Sequence, residues 1–435
     1  MSAALKIVFL TPGTGGWYCG VCMRDNALAK SLQAAGHEVS LLPMYLPLQL
    51  DEEVLGTSRA KPVFFGGINM FLQQKFPVFR HSPGWFDKLM DHPGLLRGVA
   101  RHSHMTSAHD HGSMTLAMLR MEERSLGKEM IKLTGWLERE KPDILCLSTA
   151  LQAGMIRELK RRLGVKVICC LQGEDAFLDS LPDRYRDACW SEFALRIRDA
   201  DMLVSPSWFY AELMRARLGA ERLEIKVLPN GINLDGYAPV TVKQGPPVIG
   251  YMARMCREKG LEIMVDAFLH LRGELHHPDA RLHLAGAAIT ENEPLIAALK
   301  QRLAAAGLTE QVVWQTNISR SEKTAMLGAL TLFSVPAIYP EAFGLYVIEA
   351  MASGVPVVQP AAAAFPELLT QSGAGILVPP ANPVALAQAW HDLLRQPQEL
   401  RRMAENGRRA AESLFSIGIM RDAFLALARE IHCPA

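Results

Sequence analysis

Two carboxylates eight residues apart, Glu341 and Glu349, punctuate the run PEAFGLYVIEAMASGVPVVQP at residues 340–360. Packing accounts for the alanine-rich segment and the β-branched run behind it, but neither needs an acid. Reading LFSVPA (332–337) as a buried strand, LYVIEAMASG as a helix ended by Gly354 and VPVVQ (355–359) as the next parallel strand puts the loop 338–344 at a strand's carboxyl end. Open parallel sheets bind their ligands there. Gly344 and Leu345 open the helix, whose first N–H groups and positive dipole end suit a phosphate that the missing side chain of Gly344 lets come close. Glu349, on the second helical turn, is in reach of a neutral diol such as a ribose. Glu341 is in reach of a sugar or a developing cation.

An isolated pair of acids would more simply be solvated or favour a helix N-terminus. Here the pair has company. YMARMCREKG (251–260) places Arg254 at the end of another strand and Lys259 in the loop after it, both directed at the same place. A guanidinium and an ammonium are what a leaving diphosphate requires as negative charge builds.

Short β-branched runs followed by amphipathic helices supply the frame. LKIVFL (5–10), DILCLS (143–148), VKVICCL (165–171) and DMLVS (201–205) lead; VIGYMAR (248–254), RLHLAGA (281–287), VVWQT (312–316) and GILVPP (375–380) come after a proline- and glycine-bearing linker at 233–247. Alternation of this kind predicts parallel sheets with helices on both faces, an α/β fold. The chain divides into a first Rossmann-like doubly wound domain (1–238, with an insertion at 45–130) and a second (239–415), facing across a cleft. The last helix, within 416–435, is apolar enough to pack back on the first domain.

Composition excludes several classes. A net charge of +1 lacks the basic face of a nucleic-acid binder. No apolar run nears the roughly 18 residues of a membrane helix, and the N-terminal stretch reads as a strand rather than a leader. Eight cysteines in 435 residues make no disulfide framework, which points to a reducing cytoplasm. Basic residues alternating with Phe, Trp and Leu over 72–105 leave a peripheral membrane contact as an alternative to helical cover.

YMARMCREKGLEIMVDAF, LHLAGA, EAFGLYVIEAMASGVPVV, GILVPPANPVALAQAW and VSPSWF…VLPNGI together resemble the retaining nucleotide-sugar transferases of glycosyltransferase family 4, with the GT-B fold, over most of residues 200–415. GTGG and LAKSLQAAGHEVSLL extend the resemblance more loosely to the first domain. The resemblance implies that Arg254 and Lys259 hold the diphosphate, that Glu349 binds the ribose and that Glu341 lies by the donor sugar. The amides of Phe343, Gly344 and Leu345 would complete the phosphate site, and Gly15 and Gly16 would let the first domain's loop approach the donor. It implies a nucleotide-diphosphate sugar as co-substrate, a UDP-sugar being commonest, and no cofactor. The acceptor would be a glycan, a glycolipid or a small molecule.

The sequence departs from the family where a histidine usually comes after the strand VKVICCL: it reads QGED, with Gln172, Glu174 and Asp175 on the acceptor side. Glu174 or Asp175 would orient the acceptor or act as base, or else cap the next segment, AFLDSL. A Gly-Gly step common in the family is replaced by AAAAFPE (361–367). The reaction expected is retaining hexosyl transfer by metal-independent front-face substitution, with a GT-B phosphorylase or epimerase and a non-catalytic nucleotide-sugar binder as rivals. Asp199 and Asp201 read as a structural turn rather than a metal site. His102, His104, His109 and His111 match no metal-ligand spacing and read as surface loop. Cys19 and Cys22, in CGVC, read as small buried residues, with redox sensing or metal binding as alternatives.

Overall fold

Runs of β-branched and aliphatic residues build two parallel ladders in the computed structural model, which describes residues 4–13, 19–48, 50–55, 63–65, 108–121, 123–238 and 245–432. The chain forms two compact units, Met1–Pro229 with Met420–Ala435, and Asn230–Ile419. In the first, β1 (Lys6–Thr11), β2 (Glu38–Pro43), β3 (Ile144–Leu147), β4 (Lys166–Cys170), β5 (Met202–Ser205) and β6 (Lys226–Val227) pair in the order β2-β1-β3-β4-β5-β6. In the second, β7 (Val248–Met252), β8 (Arg281–Gly286), β9 (Val312–Thr316), β10 (Leu332–Phe333), β11 (Val357–Pro360) and β12 (Gly375–Val378) pair as β12-β11-β10-β7-β8-β9. All these pairings are parallel. Every residue of β3 and β5 is buried, as strands covered on both faces must be.

The strand order of the second sheet reverses between β7 and β10, the kind of switch point outside which a ligand crevice opens. Because β7 ends at Met252 and β10 at Phe333, topology delivers both Lys259 and the loop carrying Glu341 to that place.

Two sequence expectations need revision. LFSVPA is a strand only over Leu332–Phe333. Ser334 N still donates to Gly250 O, but Pro336 has no N–H to continue the ladder, and Ala337 N turns back to Val335 O at 2.8 Å. The helix Gly20–Ala34 takes CGVC into its N-cap and first turn. His109 and His111 lie in the helix Ala108–Arg120 rather than in a loop. Gly112 lets that helix lie against Tyr185 of the helix Asp183–Arg196, since a Cβ would come within 2.5 Å of the ring. His102 and His104 lie outside the described residues, as do Gly15, Gly16 and the segment 72–105.

The helix Ile417–His432 completes the first unit through its later turns: Phe424 stacks on Phe9 of β1 at 5.7 Å, and Glu430 pairs with Lys226 at 3.1 Å. Among the described residues no helix is long and apolar enough to cross a membrane.

Candidate active site

Lys259 ends a 3₁₀ turn, Arg257–Lys259, and Gly260 comes next in a left-handed conformation with φ 71°. A Cβ at Gly260 would stand 1.9 Å from the carbonyl oxygen of Pro336, so only glycine lets the loops after β7 and β10 meet. Ile338 N then donates to Glu258 O at 3.0 Å. The meeting brings Lys259 Nζ onto Glu341 Oε2, with Tyr339 Oη accepting from the same ammonium at 2.6 Å. Tyr346 Oη donates to Glu341 Oε2 at 2.7 Å, and both tyrosine rings flank the cation, at 4.7 and 5.2 Å from their centroids. Lys259 and Glu341 are buried.

Burial alone would push the Glu341 carboxyl up, but the Lys259 ammonium and the hydroxyls of Tyr346 and Tyr339 outweigh it and hold the group below its ordinary 4.5. Glu341 is therefore a carboxylate at neutral pH. Among the described residues Tyr339 and Glu341 occupy two of the ammonium's three N–H donors, leaving one for a ligand.

A second buried pair lies on the next helix. Glu349, in the second turn of Leu345–Ala352, accepts on Oε1 from Lys323 Nζ at 2.6 Å and Tyr237 Oη at 2.9 Å. Its Oε2 has no partner among the described residues. Arg320 stacks over the Tyr237 ring at 5.2 Å and donates to the carbonyls of Asn233 and Asp235, each at 2.9 Å. One oxygen of Glu349 is thus fixed and the other presented.

The helix starts at Gly344, φ 92°, where a Cβ would press to 3.2 Å from the Phe365 ring. Val347 N donates to Gly344 O at 2.9 Å, while the amides of Leu345 and Tyr346 come before the first intrahelical acceptor. Phe343 is buried edge-to-face against Phe415, and Leu345 is half-buried. The AAAAFPE segment braces the loop, Ala364 N donating to Glu341 O at 3.2 Å. Arg254 is exposed, and its carbonyl accepts from Tyr251 Oη at 2.8 Å.

Gln172, Glu174 and Asp175 belong to the first unit. Glu174 Oε1 accepts from Thr149 Oγ1 at 2.8 Å and Ala150 N at 2.9 Å, while Oε2 accepts from Gln172 N at 2.7 Å. Tyr210 Oη lies 3.2 Å from Glu174 Oε2 and 2.8 Å from Asp175 Oδ1. Burial raises the Glu174 carboxyl even though these donors pull the other way. Glu174 accordingly ties together the loops after β3 and β4 and the helix after β5. Asp199 and Asp201 are held by Arg157 at 3.1 Å and Lys160 at 3.0 Å respectively, with Val167 N also donating to Asp201. Among the described residues no three His, Cys, Asp or Glu side chains cluster as metal ligands do.

Lys323, Tyr237, Tyr339 and Tyr346 escape the sequence reading. Only Lys323 leaves a trace there: in the helix Arg320–Ala329 it shares the buried face with Met326 and Leu327, where a charge needs a partner.

Comparison with known families decides what these features belong to. Residues 23–231 match the model described as Glycosyl transferase 4-like domain, and residues 238–410 that described as Glycosyl transferases group 1. The chain belongs to the family 4-type glycosyltransferases. Among curated relatives of this glycosyltransferase, the MMP alpha-(1->4)-mannosyltransferase of Mycolicibacterium hassiacum is 31% identical over 194 residues, 44% of this chain and 45% of that protein. The chain spans less than half the length of the curated relatives it first matches. Among solved structures, sucrose-phosphate synthase from Thermosynechococcus elongatus superposes with a TM-score of 0.72 at 17% identity, covering 99% of each chain. HepE of Anabaena, solved in complex with UDP and glucose, gives 0.65 at 17% identity, covering 97% of this chain and 99% of that one. At such identities the likeness bears on the fold, which is GT-B.

Proposed function

We propose that this glycosyltransferase is a retaining hexosyltransferase, moving a hexosyl group from a nucleotide-diphosphate sugar to an acceptor hydroxyl by front-face substitution. The observation that carries this reading is Glu349, held through Oε1 by Lys323 and Tyr237 while Oε2 stays open, as a carboxylate that grips a ribose diol would be. Lys259, Arg254 and the amides of Phe343, Gly344 and Leu345 bind the diphosphate. Lys259 and Arg254 neutralise the charge that builds on it as the glycosidic bond breaks. Glu341, kept ionised, faces the anomeric carbon as positive charge develops there. One oxygen of the departing diphosphate takes the acceptor's proton, so no protein nucleophile and no metal is required.

The turn at Gln172, Glu174 and Asp175 shapes the acceptor side, with Glu174 as a brace. The donor is a UDP-sugar, in line with the UDP and glucose of the HepE complex, and a hexose is in line with the mannosyl named for the Mycolicibacterium relative.

Thermal unfolding with UDP, GDP and ADP, alone and as sugar conjugates, tests the reading. A ligand at a hundredfold its dissociation constant adds about 2.7 kcal/mol of stability. UDP should raise the midpoint, and Glu349→Ala should abolish the shift. Equal shifts for the two proteins would remove the ribose role, and no shift from any diphosphate would remove the donor site.

A further inference from the structure

Four thiols and a buried ion pair in the first unit take no part in that site. Cys19 is the N-cap of the fifteen-residue helix Gly20–Ala34, and Cys22 is its third residue. The N-cap and the third helical position lie on the same side of the first turn, which makes Cys19 and Cys22 neighbours without rewinding the helix. Thr11 Oγ1 donates to Cys22 Sγ at 3.7 Å. Cys22 is buried, whereas Cys19 is the one described cysteine that is not. Asp25, three residues after Cys22, shares its helix face. Asp25 Oδ1 takes Arg24 Nε at 2.9 Å and Arg24 Nη2 as well, while the buried Oδ2 has no partner among the described residues. Cys146 and Cys170 lie on β3 and β4 with their sulfurs 3.8 Å apart, both sealed from solvent.

We propose that Cys19 and Cys22 form a reversible dithiol–disulfide couple, a redox-modification site with Cys19 as the attacking thiol and Asp25 as acceptor of the Cys22 proton. The Cys19 thiolate attacks one sulfur of a low-molecular-weight disulfide, breaking its S–S bond and releasing one thiolate that takes a proton from water. Cys22 then passes its proton to Asp25, attacks Cys19 Sγ and expels the second thiolate. One external disulfide is reduced to two thiols as the two cysteines are oxidised to one disulfide. The chemistry of Cys19 suits its part: the hydrogen bond from Cys22, helped by the amides of Cys22 and Val21, brings its thiol down to about 7 against the pull of burial.

The full chain, incubated with glutathione disulfide, alkylated and mapped by mass spectrometry, gives the test. The expected result is a Cys19–Cys22 disulfide within one peptide, reversed by dithiothreitol. Cys22→Ser should stop at a glutathione adduct on Cys19, and Asp25→Asn should slow ring closure about tenfold with adduct formation unchanged. Iodoacetamide on the unmodified protein needs no variant to fold. Its rate at Cys19 should fall about tenfold from pH 8 to pH 6, against close to a hundredfold for an ordinary thiol. A 19–22 peptide that stays reduced in excess oxidant, oxidation confined to Cys146 and Cys170, or a hundredfold pH dependence at Cys19 would overturn the proposal. Unchanged ring closure in Asp25→Asn would overturn the part given to Asp25.

Discussion

Lys323 and Glu349 lie 2.6 Å apart with only 9% and 10% of their side chains exposed, so neither charge has enough water to stand alone. Removing one partner of such a pair strands the other, at a cost of about 3–5 kcal/mol. Lys323→Met should therefore destabilise the second unit by that amount in chemical unfolding, and adding Glu349→Gln should restore most of it. A loss below about 1 kcal/mol for the single variant would mean that the pair behaves like a surface one. The contrast between residues that could be read from sequence and those that could not has the same physical origin. Lys259 stands next to Gly260 and Glu341 three residues before Gly344, both in loops after strands. Glu349 follows on the helix that Gly344 opens, so local spacing already implies chemistry. Tyr237 meets Glu349 across 112 residues of chain, a distance over which spacing carries no information. Lys323 sits in a helix whose periodicity marks the buried face but not what the face buries.

At the scale of elements, the contact between two loops rests on Gly260. Alanine there adds a Cβ in a left-handed conformation and drives it at a backbone oxygen, which cannot swing aside as a side chain would. Gly260→Ala should cost more than about 2 kcal/mol, combining backbone strain with the clash. It should also weaken diphosphate binding in the thermal-shift assay, because Lys259 and the Glu341 loop move together. Full stability with normal nucleotide binding would show that the loops can part without consequence. Element types were legible because burial on both faces forces uniform apolar strands, and VVWQT matches β9 residue for residue. The end of LFSVPA was not, because apolar character runs on past the point where Pro336 interrupts the ladder.

At the scale of the whole molecule, alternating strands and helices were enough to foresee two doubly wound sheets. The order of strands within each sheet depends on long-range pairing that no local pattern encodes. The final helix ties back to β1 through Phe424, 1% exposed, stacked on Phe9. Phe424→Ala should cost about 3–5 kcal/mol, a large cavity in a core with little freedom to collapse. In a stepwise unfolding experiment only the transition of the first unit should move. A shift in the second unit's transition instead would reassign the helix.

The route of the chain also sets an order of construction. The first unit is interrupted by the 190 residues from Asn230 to Ile419 and is completed only by the helical turns from Met420 onward. On a ribosome adding about 5–20 residues per second, the interrupting residues take roughly 10–40 s to emerge. Throughout that interval Phe9 has no Phe424 to cover it, while the second unit is gaining its whole sequence. The half begun first is thus the half finished last, and a nascent chain paused near Ile419 would carry the sequence of the second unit after an open apolar patch.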